Sequence, residues 1–294
     1  MAYTRQKFSG FCHLHIGQEA VCVGLGEQTR PDDLVISGYR SHTQAIKKGI
    51  PAGEVFAELL GRVTGCSRGK GGSMHMFSKE HGFFGGHGIV GGQAPIALGA
   101  AFALKYKETD ANMICYLGDA AMNQGQVYEA MNMAATWDLP VLFVIENNRY
   151  GMGTDIRRTT SVDHLYKRAL AFDMGHSQVD GMNVLRVWEH SGRIMEAMRR
   201  DRKPYLLEAL TYRYKGHSVS DPGTYRTKQE VQDQQSRDPL LQLAAVLEKE
   251  KLAVETDLKG WDKEAREKVK EAEKFADESP VPDLSETWMH VYAD

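Results

Sequence analysis

Two apolar runs in the middle of the chain predict neighbouring buried strands. Residues 113–117 and 141–145 contain no charged side chain, which is typical of parallel strands whose two faces are both covered. Residues 124–137, between them, have the length and composition of a helix. The segment as a whole therefore predicts a βαβ unit.

A polar cluster follows each of these two strands. Gly118, Asp119 and Ala120 come after the first strand, and Asn147 and Asn148 come after the second. The carboxyl ends of parallel strands share one sheet edge, where ligands bind. A cation such as Mg²⁺ takes oxygen ligands, few from protein and the rest from phosphate and water. The pattern predicts a cation–diphosphate site formed by the carboxylate and the second amide.

The rest of the first 237 residues alternates strand and helix patterns. Strands are predicted at 34–37, 184–187 and 205–210, and helices at 54–61, 93–106 and 192–200. The glycine-rich stretch 65–92 predicts a long functional loop. This alternation predicts an α/β fold with a doubly wound, mostly parallel sheet flanked by helices.

The C-terminal part predicts a helical extension. Asp238 and Pro239 are a helix cap and a first helical residue. Residues 257–275 carry apolar side chains at spacings of three and four. We therefore predict an α/β domain over residues 1–237 and a helical extension over residues 238–294, which packs on that domain or on a partner subunit.

Composition narrows the function classes and the compartment. The formal net charge of -3 gives no support for nucleic-acid binding, and no apolar stretch has the length of a membrane span. The four cysteines lack metal-ligand spacing, and reduced thiols are expected. We expect the cytoplasm, or the mitochondrial or plastid matrix if a presequence has been removed.

The two polar clusters resemble the Gly-Asp-Gly and Asn-Asn signature of thiamine-diphosphate enzymes, with residues 121–146 as the spacer. Further motifs that resemble one family are Gly-Phe-Cys-His-Leu at 10–14, Gly-Gln-Glu-Ala at 17–20, Tyr-Arg-Ser-His at 39–42, Gly-Lys-Gly-Gly-Ser-Met-His-Met at 69–76, Gly-Gly-His-Gly-Ile-Val-Gly at 85–91 and Tyr-Arg-Tyr-Lys-Gly-His-Ser at 212–218. On these motifs the chain resembles the alpha subunits of the pyruvate-decarboxylating component of pyruvate dehydrogenase.

That resemblance implies a set of cofactor and metal contacts. Mg²⁺ would be held by Asp119, the Asn148 side chain and the Tyr150 backbone carbonyl. Tyr39 and Arg40 would contact the diphosphate, for which a guanidinium is well suited. The other cofactor contacts are expected at the backbone of Gly88 and Val90, at Gly118, Ala120 and Ala121, and at His217.

The resemblance also implies an activity and partners. His13, His42 and His217 would surround the reacting end of thiamine diphosphate. The reaction would be the oxidative decarboxylation of pyruvate, with transfer of the acetyl group to lipoyl domains of a dihydrolipoyl acetyltransferase. A beta subunit would complete the site in an alpha2-beta2 heterotetramer, so that this chain alone would be inactive.

One residue departs from the family pattern. Ala120 stands where the family has glycine, and it would cost about 1 kcal/mol if the position required positive φ. This departure favours a degenerate, non-catalytic scaffold subunit. The chain could also be the alpha subunit of a branched-chain 2-oxo-acid or acetoin dehydrogenase, although residues 71–76 and 148–153 look more like the pyruvate form.

Overall fold

The computed structural model describes residues 2–8 and 10–289 of the chain. Its strands are β1 (Leu34–Gly38), β2 (Phe83–His87), β3 (Met113–Gly118), β4 (Val141–Asn147), β5 (Tyr150–Gly151), β6 (Thr154–Asp155), β7 (Gly175–Asp180) and β8 (Tyr205–Leu210). In this part of the chain, six strands form one parallel sheet in the order β2-β1-β3-β4-β8-β7. The short strands β5 and β6 form a separate antiparallel pair.

Helices cover both faces of the sheet. They are α1 (Glu19–Gly26), α2 (His42–Lys47), α3 (Ala52–Leu59), α4 (Gln93–Tyr106), α5 (Gly125–Thr136), α6 (Val184–Asp201), α7 (Lys228–Gln235), α8 (Pro239–Lys249) and α9 (Glu255–Glu278). Helices α4 and α5 cover one face, and α1, α2, α3 and α6 cover the other. The predicted doubly wound parallel sheet is therefore confirmed. Within the described residues, no helix is both long and apolar enough to cross a membrane.

Alternation along β3 explains why its sequence is apolar throughout. Cys115 and Leu117 pack into the core under α4 and α5. Ile114 and Tyr116 point the other way, into the core under α1 and α6. A strand that is buried on both faces has no solvent-facing positions, so its sequence shows no alternation of polar and apolar residues.

The predicted strand at residues 184–187 is wrong. These residues form the first turn of α6, where the Asn183 side chain caps the helix by accepting a hydrogen bond from the Arg186 N–H. The strand that precedes α6 is β7, which lies at the sheet edge and is mostly polar. A four-residue apolar run fits a strand and a helix turn equally well, and the capping asparagine was the deciding signal.

Two further segments differ from the sequence predictions. The glycine-rich stretch contains the edge strand β2, and α7 is a further helix directly before α8. The long tail helix is confirmed as α9, which packs against α3 and has Ala272 and Ala276 buried. The division into two parts at residue 237 stays a prediction. The last residues of the predicted extension, 290–294, lie outside the described part of the chain.

Candidate active site

The parallel strands deliver the predicted site residues to one edge of the sheet. Gly118 on β3 pairs with Glu146 on β4, so Asp119 and Asn148 follow neighbouring strand ends. A cavity of about 360 Å³ opens there. The predicted residues that line it are Tyr39, Arg40, Val90, Gly118, Asp119, Ala120, Ala121, Asn148, Tyr150 and His217.

Three predicted site residues lie outside the cavity lining. His13 and His42 are not among the residues that line it. Gly88 follows β2 at the same edge, where a Cβ atom would lie 3.3 Å from the His75 ring. The structure therefore brings ten of the predicted residues around one space and leaves these three next to it.

Asp119 is a buried carboxylate with an unusual acidity. Burial raises the pKa of its side chain to about 6. Its own backbone N–H, the Arg213 guanidinium and the backbone N–H of Asn148 oppose that shift. The contact with Asn148 shows that the two residues are neighbours. The residue is 2% exposed, so a cation beside its carboxylate would be strongly favoured.

Asn148 and Tyr150 place further oxygen atoms at the same point. The Asn148 Oδ1 atom accepts a hydrogen bond from the Tyr150 N–H at 3.3 Å. The Tyr150 carbonyl accepts one from Arg213 Nη1 at 3.3 Å and has a second lone pair available. Among residues 2–8 and 10–289 no group of three or more His, Cys, Asp or Glu side chains could hold a metal ion. A cation here would therefore use mixed oxygen ligands, which suits Mg²⁺.

Ala120 carries no backbone strain. It begins a 3-10 turn, Ala120–Asn123, and it is absent from the residues with positive φ. The cost that would apply at a left-handed position therefore does not arise. Its methyl group lies against Gly151 in β5, since a Cβ atom on Gly151 would be 2.5 Å from it.

The three predicted histidines are linked through Tyr39 and Ser73. The ring centroid of His13 lies 4.5 Å from that of Tyr39 and 5.0 Å from that of His217. His42 Nε2 hydrogen bonds with Ser73 Oγ at 2.9 Å, and the same hydroxyl accepts the His13 N–H at 3.2 Å. His42 is thus joined to the His13 segment through Ser73 and does not line the cavity.

All three histidines are neutral at physiological pH. Burial lowers the pKa of His13 to about 3, and it lowers the pKa values of His42 and His217 to about 4. The Arg40 guanidinium acts in the same direction on each ring. Each imidazole can therefore accept one hydrogen bond through one nitrogen and donate one through the other.

Arg40 connects the segments that carry these histidines. Its guanidinium donates to the carbonyl of Leu14 and, at 2.8 Å, to the carbonyl of His217. Burial lowers its pKa to about 10, so the group stays positively charged at neutral pH. It therefore offers a fixed cation to the cavity that it lines.

The loop that carries His217 is held by groups that the sequence predictions missed. The Asp221 carboxylate accepts the His217 N–H at 2.5 Å, the Gly223 N–H at 2.8 Å and the Tyr225 O–H at 2.9 Å. The fully buried Arg213 donates to Tyr225 Oη at 2.7 Å. Arg213 lies within the family motif at 212–218, whereas nothing in the local sequence marks Asp221 as an anchor.

Glu58 shapes the glycine-rich loop from within. Its carboxylate is fully buried and accepts backbone N–H groups from four residues of the loop. They are Ser67 at 2.8 Å, Gly69 at 2.9 Å, Gly71 at 2.6 Å and Gly72 at 3.1 Å. A Cβ atom on Gly71 would lie 1.9 Å from the His75 carbonyl, so this wrapping requires glycine. The loop continues directly into the serine that bonds to His42.

Comparison with known proteins identifies the family of the chain. The family described as "Dehydrogenase E1 component" matches residues 1–285. The chain is 47% identical over 290 residues to the pyruvate dehydrogenase E1 component subunit alpha of Rickettsia conorii, covering 99% of this chain and 89% of that protein. It is 49% identical over 283 residues to the protein of the same name in Rhizobium meliloti, covering 96% and 81%.

A mitochondrial relative shows the same likeness. The pyruvate dehydrogenase E1 component subunit alpha of Sminthopsis macroura is 46% identical over 293 residues, covering 99% of this chain and 80% of that protein. The similarity thus spans nearly the whole chain and includes every strand of the sheet. The chain belongs to the dehydrogenase E1 component family.

Proposed function

We propose that this chain is the alpha subunit of a pyruvate dehydrogenase E1 component that works with thiamine diphosphate and Mg²⁺. The observation that carries the proposal is the placement of Asp119 and Asn148, which line one buried cavity from neighbouring strand ends. The names of the relatives in bacteria and in a mitochondrion support pyruvate as the substrate.

The residues present in the cavity fit a diphosphate-bearing cofactor. Gln18 Nε2 and Gln93 Oε1 are buried polar atoms without a hydrogen-bond partner among the described residues, and both side chains line the cavity. Buried polar groups are normally paired, so these two favour a bound group that supplies an acceptor and a donor. The guanidinium of Arg40 supplies a positive charge for phosphate.

Each predicted residue then has a role in holding the cofactor. Asp119, the Asn148 side chain and the Tyr150 carbonyl would hold Mg²⁺, while Tyr39 and Arg40 would hold the diphosphate. The remaining contacts would come from the backbone of Gly88 and Val90 and from Gly118, Ala120, Ala121 and His217.

The reaction would take place beside the histidines. When bound, thiamine diphosphate supplies a nucleophilic carbon for a 2-oxo acid and an electron sink for its decarboxylation. Neutral His13 and His217 would orient the substrate by hydrogen bonds, and His42 would support His13 through Ser73. Burial, together with the Arg40 guanidinium, would keep the imidazoles unprotonated and so able to accept a hydrogen bond.

We further propose a beta subunit as the obligatory partner, in an alpha2-beta2 heterotetramer that passes acetyl groups to the lipoyl domains of a dihydrolipoyl acetyltransferase. The designation "subunit alpha" of the relatives supports this assembly. The chain expressed alone should be inactive. Co-expression with the beta subunit should restore decarboxylation of pyruvate, at a higher rate than the turnover of branched-chain 2-oxo acids or of acetoin. Steady-state rates with the three substrates test this. Decarboxylation by the chain alone would contradict the shared site.

A further inference from the structure

The Gly-Gln pair at positions 17 and 18 lies next to the proposed cation site. Gly17 has φ +97°, and a Cβ atom there would lie 2.3 Å from the carbonyl oxygen of Tyr212. The Thr211 hydroxyl donates to the Gly17 carbonyl at 3.2 Å. Only glycine allows the chain to pass this close to the segment that follows β8. The passage places the next side chain, Gln18, beneath the end of β4.

Gln18 contacts the amide that we assign to the cation. Its Oε1 atom accepts a hydrogen bond from Asn148 Nδ2 at 3.0 Å, and its side chain is completely buried. It also lines the cavity, and its Nε2 atom is one of the buried donors without a partner among the described residues. Gln18 therefore contacts Asn148 with one end of its amide and faces the cavity with the other.

An asparagine side chain can present either its oxygen or its nitrogen in a given direction. At Asn148 two neighbours fix the orientation of the amide, because Gln18 Oε1 requires a donor and the Tyr150 N–H requires an acceptor. The first contact holds Nδ2 and the second holds Oδ1. If the amide were reversed, Oδ1 would lie against Gln18 Oε1 and Nδ2 would lie against the Tyr150 N–H. Two acceptors and two donors would then face each other, which is unfavourable in a buried site.

We propose that Gln18 is a positioning residue for the divalent cation: it fixes the orientation of the Asn148 amide so that the oxygen is kept for the metal. The inference rests on the proposed function, since it assigns Asn148 to Mg²⁺. Contacts that orient metal ligands change metal affinity by about 10- to 100-fold when they are removed. Gln18 also keeps its Nε2 donor for an oxygen of the bound cofactor.

The test is a double-mutant cycle on the co-expressed holoenzyme. Isothermal calorimetry measures the Kd of Mg²⁺ at saturating thiamine diphosphate for the wild type, Gln18→Met, Asn148→Asp and the double variant. Methionine keeps the length of the side chain, but its thioether is only a weak acceptor for the amide N–H. In the Asn148→Asp background both terminal atoms are oxygens, so orientation no longer matters.

We expect a loss of Mg²⁺ affinity that depends on the amide of Asn148. Gln18→Met should raise the Kd about 10- to 100-fold in the wild-type background and less than about threefold in the Asn148→Asp background. Gln44→Met is the matched control, because Gln44 is similarly buried but bonds to Glu146, so the Kd should stay within about threefold. Thermal unfolding without metal checks that each variant is folded.

The experiment distinguishes a failure of the role of Gln18 from a failure of the proposed function. Equal losses in both backgrounds, or no loss at all, would overturn the role of Gln18 and leave the proposed function intact. A wild-type holoenzyme that shows no magnesium-dependent binding of thiamine diphosphate would overturn the proposed function itself.

Discussion

The two sides of the candidate active site are built in different ways. On one side, which we call the strand-end side, Asp119 and Asn148 follow directly from β3 and β4 and are placed by the register of the sheet. On the other, the histidine side, His13, His42 and His217 lie outside the strands and are placed by buried polar groups. One cavity therefore combines residues that are positioned by backbone pairing in the sheet with residues that are positioned by contacts with side chains.

This difference determines how each side should respond to mutation. The strand ends are held by backbone hydrogen bonds and by apolar cores on both faces of the sheet. Changing a side chain there should alter binding and leave the fold intact. The histidine side depends on single carboxylates and guanidiniums. Removing a carboxylate leaves buried donors unpaired, and removing a guanidinium leaves buried carbonyl acceptors unpaired.

The largest effect is expected at the strand-end side. Asp119→Ala should weaken magnesium-dependent binding of thiamine diphosphate by more than about 100-fold, beyond the range for residues that only orient a ligand. The variant without metal should be at least as stable as the wild type at pH 7, because burial disfavours the ionised carboxylate. Calorimetry and urea unfolding measure the two effects. Lost stability together with retained binding would contradict this assignment.

A second effect is expected at the histidine side. Glu58→Ala leaves four loop N–H groups without their acceptor, and it should lower the free energy of unfolding by about 3 kcal/mol. Hydrogen exchange should accelerate at residues 67–72 and stay slow in β3 and β4. The control is Glu54→Ala on the same helix, where the side chain is half-buried. Equal effects of the two variants would show that Glu58 does not organise the loop.

A smaller effect concerns pH and again separates the two sides. The folded chain keeps His13 neutral down to about pH 3, whereas the unfolded chain protonates it near its ordinary pKa of 6.5. Between these values the unfolded state binds more protons, so stability is fully present above pH 6.5 and falls as the pH decreases. His13→Asn should reduce this slope by up to about 1.4 kcal/mol per pH unit. Urea unfolding from about pH 4 to 7 measures it, and an unchanged slope would contradict the buried neutral imidazole.

Prediction from sequence succeeded where the structure is local. The predicted helix at 93–106 and strand at 205–210 agree with the bounds of α4 and β8. Asp119 and Asn148 could be placed together because parallel strands end at one edge. The edge strands β2 and β7 were missed, since exposed edges tolerate polar and glycine residues that do not give a strand pattern.

The contacts that hold the histidine side could not be predicted, because they join distant parts of the chain. Arg40 bonds to the carbonyl of His217, 177 residues away in sequence. The same holds on the strand-end side, where Gln18 bonds to Asn148 across 130 residues. Such pairs leave no periodic signal, and a single polar residue is normally an exposed one. Only the folded sheet brings them together.

The cation site can be tested by a crystal structure of the alpha–beta assembly grown with thiamine diphosphate and Mn²⁺, with anomalous scattering to locate the metal. We expect one peak at the carboxyl ends of β3 and β4, bound by Asp119, by Asn148 Oδ1 and by the Tyr150 carbonyl. A metal bound elsewhere, with the Asp119 and Asn148 side chains turned away from each other, would show that the strand ends do not form the cation site.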